Sequence, residues 1–237
     1  MLNQWVALVV TAAAALAWLR FNDFLAHKGI VSSQLSRKLI HMGTGLVFVL
    51  CWLLFPDVPA ARYLAALVPL LITIQFGLIG LGVIQDKASV DAMSRHGDPR
   101  EILRGPLLYG IVFVILTVVY WKDSPVGIVA LMLLCGGDGL ADVVGKRLSS
   151  GALPWSPRKT WAGTLSMFAG GWLFAVAIVA IYLAVGEFSG SLGSSLLPIT
   201  LIALAGPAVE SLPYSDIDNV TVPLLAVLLG HLLLPKG

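Results

Sequence analysis

Polar segments interrupt an otherwise apolar chain, and their residue types suit phosphate and divalent-cation chemistry. One segment is Gly136-Gly137-Asp138-Gly139-Leu140-Ala141-Asp142-Val143-Val144-Gly145-Lys146-Arg147. On a helix Asp138 and Asp142 are four residues apart and share a face. Two carboxylates at the end of a helix repel each other and are disfavoured by its dipole. A divalent cation removes both costs, and Mg2+ takes one or two carboxylates together with nucleotide phosphates. An ionisable residue within an apolar span costs about 3 kcal/mol on insertion scales, which makes it a functional candidate. The competing reading pairs Asp142 with Lys146, also four apart, as a helix-end salt bridge. It leaves Gly136, Gly137, Gly139 and Gly145 as packing residues.

A second segment is Leu153-Pro154-Trp155-Ser156-Pro157-Arg158-Lys159-Thr160-Trp161-Ala162-Gly163-Thr164. Its prolines stop the preceding structure, and a helix is expected to start after them. A helix N-terminus presents free N–H groups and partial positive charge to phosphate. Arg158 and Lys159 add full charges, and Gly163 lets a ligand approach the backbone. The alternative is a basic anchor at lipid headgroups. The spacing is not that of a P-loop, which requires G-x-x-x-x-G-K-[ST].

Two further segments complete the set. Ser36-Arg37-Lys38-Leu39-Ile40-His41-Met42-Gly43-Thr44 places Arg37 and Lys38 four and three residues before His41, a spacing that clusters them at a helix mouth. His41 is suited to carry a proton or simply to hydrogen-bond a neighbouring helix. Gly206-Pro207-Ala208-Val209-Glu210-Ser211-Leu212-Pro213 is followed by Asp216, Asp218 and Asn219. Pro207 predicts a broken helix of the kind found where backbone lines a cavity, with Glu210 just inside. The mixed-charge stretch Arg95 to Pro106 reads as solvated surface leading into a helix with Pro106 in its first turn.

The elements that must position these residues are membrane spans. Apolar residues make up 58% of the 237 and charged residues 12%, about half the charge that a soluble domain carries, and mean hydropathy is +0.91. A span needs about 20 largely apolar residues, and such runs fall near 2–19, 39–55, 60–84, 106–121, 125–145, 162–185, 196–213 and 221–234. The expected fold is an all-α polytopic transmembrane helix bundle of about eight spans, or seven if the short last run does not cross, forming one domain over 1–237. The N-terminus lacks a basic leader, so the first span is expected to be retained. Cys51 and Cys135 lie in apolar runs without Cys-x-x-Cys spacing and read as packing residues.

Charge orients the bundle. Of the 15 basic residues, all but Arg62, Lys122 and Lys236 fall at one end of the spans, the end expected to be cytoplasmic, with both termini opposite. Acidic residues follow, with only Asp57, Asp123 and Glu187 at the other end. Topology alone does not predict that, because the positive-inside rule largely ignores Asp and Glu.

Together these segments resemble the phytol kinase branch of the CTP-dependent polyprenol kinase family, relatives of dolichol kinase. The resemblance rests on Arg37 to His41, Gly105-Pro106-Leu107, Asp138 to Gly145, Lys159 to Thr164, and Val209 to Pro213 with Asp218-Asn219 and Thr221-Val222-Pro223, collinear from 37 to 223. The Ser149-Ser150-Gly151 region departs most. The resemblance implies that Asp138, Asp142, Lys159 and Gly163 take part in CTP binding. It also implies a bacterial inner, thylakoid or plastid membrane.

The resulting expectation is transfer of the γ-phosphate of CTP to a membrane-dissolved isoprenoid alcohol (phytol, farnesol or geranylgeraniol). CTP would be held by Gly139, Lys146, Arg147, Arg158, Lys159, Thr160 and Gly163, and Mg2+ by Asp138 and Asp142. Arg37, Lys38, Asp218 and Asn219 complete the polar face. A carboxylate, Asp142 or Glu210, or else His41, would take the proton. Membrane lipids are expected around the bundle, and nucleic acid is not an expected partner. A membrane cytidylyltransferase making a CDP-lipid is the alternative, since it needs the same nucleotide and metal. A transporter fits less well, because it predicts internal repeats and ionisable groups near the midplane.

Overall fold

Without water to satisfy them, backbone polar groups in an apolar run must bond within the segment, so these runs fold as helices. The computed structural model describes residues 2–94, 96–148, 150–212 and 217–235, without the side chains of Ser33 and Ala92. Arg95, Ser149, Pro213, Asp216 and Lys236 therefore lie outside the described residues. The order is α1 (Gln4–His27), α2 (Ser33–Cys51), α3 (Ala61–Gly80), α4 (Lys87–Met93), α5 (Gly105–Tyr120), α6 (Pro125–Met132), α7 (Asp138–Arg147), β1 (Ala152–Leu153), β2 (Ser156–Thr160), α8 (Trp161–Ala184), α9 (Leu192–Glu210) and α10 (Asp218–Leu233). Among the described residues seven helical segments are long and apolar enough to cross a membrane, with α6 to α7 counted as one. The expected eighth, α10, has 16 residues, about 24 Å at 1.5 Å per residue, against a hydrocarbon core of about 30 Å.

The segment Pro125–Arg147 is the centre of the bundle. Its most apolar stretch is 78% buried, whereas the other six long helices reach 17–39%. It is not one continuous α-helix. Leu133–Gly137 forms a π-helical turn, a rare feature that concentrates at functional sites. The helical segment continues through this turn to Arg147, so Asp138 lies well before its last turn, which removes the expected dipole conflict for that residue. The packing reading of the glycines holds. A Cβ on Gly136 would lie 2.8 Å from the carbonyl oxygen of Gly170, and one on Gly145 would lie 3.2 Å from Cα of Gly163. Only glycine lets α8 approach this closely.

Three other expectations change. The helix through Pro207 is unbroken, because α9 continues to Glu210. The stretch before α5 is not all solvated surface: Pro99–Leu103 is a 3-10 turn, and Ile102 is fully buried against Ile79 and Val90. α2 starts at Ser33, capped by Ser32, ahead of the apolar run expected from 39, so Arg37 and Lys38 lie inside the helix instead of at its mouth.

The two ends of the bundle use charge differently. At the end holding Asp57, Asp123 and Glu187, Lys122 donates to Asp57 (2.6 Å) and to Glu187 (3.0 Å), and Arg62 pairs with Asp123. These pairs tie connections together. At the other end several ionic groups from distant parts of the chain are brought together.

Candidate functional site

Two ion clusters meet at the end of the bundle where α2, α7, α8, α9 and α10 come together. The first is built on Lys38. One turn into α2, its ammonium lies 3.3 Å from Asp138 Oδ2 and 3.6 Å from Asp142 Oδ2. The i, i+4 spacing on α7 thus does place both carboxylates on one face, and that face is turned to α2. Asp142 also pairs with Lys146 at 2.7 Å, so the plain helix-end salt bridge exists beside the shared one. All three of Lys38, Asp138 and Asp142 are only partly exposed, between 15% and 27%.

His41 joins this cluster, with Nε2 3.3 Å from Asp138 Oδ2. The approach is not an aligned hydrogen bond, and Nε2 is buried without a hydrogen-bond partner among the described residues. The imidazole lies against the ring of Tyr109, centroids 4.2 Å apart. The Tyr109 hydroxyl donates to the carbonyl oxygen of His41 at 2.9 Å and contacts the sulfur of buried Cys135 at 3.2 Å. Tyr109 gave no signal in the sequence: an aromatic in an apolar run looks like core. Arg37, expected beside His41, instead reaches the carbonyl oxygen of Ser94. A residue one position before Lys38 points about 100° away around the helix.

The second cluster is built on Lys159. Its ammonium is hydrogen-bonded to Glu210 and lies 3.6 Å from Asp218. Burial opposes the Lys159 charge, but Glu210, Asp218 and Asp138 outweigh it and raise its pKa above the ordinary lysine value. That Asp138 acts on Lys159 joins the two clusters electrostatically. Asn219, beside Asp218, donates through Nδ2 to the carbonyl oxygen of Gly105 at 3.3 Å, which links the sequence segment around Pro106 to the start of α10.

The phosphate-binding helix start expected at Lys159 is not open. Arg158 and Lys159 lie on β2, paired antiparallel with β1. The backbone N–H groups that open α8 already have acceptors. Trp161 donates to the carbonyl oxygen of Gly151 (3.2 Å), Ala162 to Ser150 Oγ (3.0 Å) and Gly163 to Thr160 Oγ1 (3.2 Å). Thr160 is thus the cap of α8, and the atypical Ser150-Gly151 region serves the same end. Gly163 is buried against α7, where a Cβ would lie 3.2 Å from the carbonyl oxygen of Ala141; it admits a helix, not a ligand. Gly139 likewise faces Met42. Positive charge here comes from side chains: Lys159 together with exposed Lys146, Arg147 and Arg158.

Asp138 and Asp142 suit a divalent cation, because both already direct an oxygen at one positive centre. Among the described residues no group of three or more His, Cys, Asp or Glu converges as a metal site. An ion here would need phosphate or water oxygens as well, which is the usual habit of Mg2+.

The chain is similar over nearly its whole length to curated plant proteins. It is 38% identical over 234 residues to a probable phytol kinase 1, chloroplastic, of Oryza sativa subsp. japonica, covering 98% of this chain and 74% of the relative. It is 34% identical to phytol kinase 1, chloroplastic, of Arabidopsis thaliana, covering 98% and 77%. It is 41% identical to farnesol kinase, chloroplastic, of the same plant, covering 98% and 76%. No family model matches the chain, and no solved structure does.

Proposed function

We propose a reaction for this chain from the premise that it belongs to the phytol and farnesol kinase family: it is a lipid-alcohol kinase that phosphorylates an isoprenoid alcohol. The observation that carries the site assignment is the meeting of the Lys38–Asp138–Asp142 cluster with the Lys159–Glu210–Asp218 cluster at one end of an apolar bundle. Phosphoryl transfer needs positive charge on the donor's phosphates, a route for the acceptor oxygen and a group to take its proton. The two clusters contain candidates for each.

In this reading the donor is CTP and arrives from the cytoplasmic or stromal side, and the chain is embedded through its seven long helices. Lys146, Arg147, Arg158 and Lys159 bind the phosphates through side-chain charge. Mg2+, held by Asp138 and Asp142, supplies further neutralisation of the triphosphate when bound. Lys38 sets the orientation of both carboxylates, and Tyr109 fixes His41 against Asp138. The alcohol oxygen attacks the γ-phosphorus, forming a new P–O bond. The bond from that phosphorus to the bridging oxygen breaks, its electron pair leaves with the nucleoside diphosphate, and the hydroxyl proton passes to the Glu210–Asp218 pair. Rate enhancement comes from positioning and charge neutralisation.

The decisive experiment supplies purified protein with CTP, Mg2+ and phytol or farnesol, with the label in the γ-phosphate or in the cytidine. γ-Label in the lipid with release of CDP supports the kinase. With a lipid phosphate as acceptor, release of pyrophosphate from CTP and transfer of the cytidine label, as CMP, into the lipid would instead establish the cytidylyltransferase.

A further inference from the structure

We propose that the reactive end of the isoprenoid alcohol enters between α9 and α10, in a cleft that ends on Glu210 and Asp218. The inference rests on the phosphotransfer reading and adds to it the place where the acceptor is bound. The cleft has a volume of about 160 Å³ and is lined by Val209, Glu210, Leu212, Ile217, Asp218 and Thr221. Its walls are almost wholly carbon. The Thr221 hydroxyl is engaged with the carbonyl oxygen of Ile217 at 3.1 Å, and among the described lining residues Glu210 and Asp218 carry the remaining polar side chains.

That combination selects among the reactants. A triphosphate is repelled by two carboxylates in an apolar setting, where charge interactions are strong. A neutral hydroxyl at the end of a hydrocarbon is not, because it donates a hydrogen bond to a carboxylate and buries its tail. The volume is below the roughly 300 Å³ at which pockets begin to enclose a drug-sized ligand, so the cleft holds the head of the chain and not its length. The remainder has a continuous apolar path. Ile217, just before α10, and Val220, Leu224 and Leu228 on it are all exposed and recur every three or four residues, which places them on one face leading away from the cleft. Lys159, which contacts both carboxylates, is not part of the cleft lining and marks where the phosphates would lie.

The test uses the full chain in phosphatidylcholine vesicles. Thr221→Phe fills the cleft and is expected to raise the KM for farnesol and phytol about tenfold while leaving the KM for CTP unchanged. Because Thr221→Phe also risks misfolding, the unsubstituted chain is photolabelled with a farnesol analogue carrying a diazirine on the carbon chain next to the hydroxyl. Label is expected within 209–212 or 217–221, and unmodified farnesol should compete it away. An unchanged alcohol KM in folded Thr221→Phe, or competed label confined to other helices while transfer proceeds, overturns the cleft and leaves the kinase reading standing. Failure of the unsubstituted chain to transfer phosphate to any isoprenoid alcohol overturns the phosphotransfer reading, and the cleft assignment with it.

Discussion

Lys159 and Glu210 are 51 positions apart in the chain and hydrogen-bonded in the fold. Glu210 is 6% exposed, so Lys159 is its counter-charge and not one of several solvated neighbours. The bond fastens the β1–β2 hairpin to the end of α9, and a second contact, Trp155 Nε1 to Ser211 Oγ at 3.2 Å, lies beside it.

Replacing Lys159 by Met leaves a buried carboxylate without its partner. Loss of one member of a buried pair is strongly destabilising. Since Lys159 is itself 26% exposed, the expected loss is about 2–3 kcal/mol, at the low end for such pairs. Lys159→Met combined with Glu210→Leu should recover most of that stability in thermal unfolding in detergent, yet remain inactive in phosphate transfer. Recovery of activity in the double variant would show the pair to be structural only.

The pH dependence of that stabilisation has a definite sign. The pKa of Lys159 is raised in the folded chain, so the stabilisation is fully present below the unfolded lysine value of about 10.4 and is lost as pH rises through the folded value. Unfolding temperature should therefore show a Lys159-dependent decline only above about pH 10. Lys159→Met should lack that component of the decline.

The two α7 carboxylates should differ in their sensitivity. Asp138 contacts Lys38 and His41, whereas Asp142 is partly engaged by exposed Lys146. Asp138→Asn is expected to lower turnover about 100-fold or more, and Asp142→Asn about tenfold. Both should raise the Mg2+ concentration giving half-maximal rate. Titration of Mg2+ at saturating CTP measures this, and an Asp138→Asn variant with full turnover would remove that residue from the site.

The close approach of α8 to the central segment makes its glycines sensitive to a single methyl group. A Cβ on Gly170 would lie 2.5 Å from the backbone oxygen of Gly136, two positions before Asp138, whereas one on Gly151 meets open space. Gly170→Ala should cost about 1–3 kcal/mol through overpacking and reduce transfer by displacing Asp138. Gly151→Ala should unfold at the same temperature as the unsubstituted chain.

Much of the site was legible because spacing on a helix fixes which residues share a face. Asp138 and Asp142 needed only their separation of four. Glu210 needed only its position inside an apolar run. The N-terminus of α8 was not legible in the same way. A basic pair before a helix reads as an open anion site, but whether its N–H groups are free depends on Ser150, Gly151 and Thr160 folding back onto them. Tyr109 was invisible for a related reason, since its role comes from the carbonyl of His41, 68 positions away.

The helical bundle, the approximate extent of its spans and the gathering of charge at one end are all written in the local order of residues. Those follow from the length and hydropathy of local runs and the cost of placing charge in hydrocarbon. Which charges meet depends on how the helices pack. Lys38 turns to the α7 carboxylates while its neighbour Arg37 turns to Ser94, and Lys159 finds Glu210 rather than open solvent. Helix rotation, the π-helical turn before Asp138 and the glycine-limited distance between α7 and α8 set those pairings. Such long-range geometry has no local periodicity to announce it.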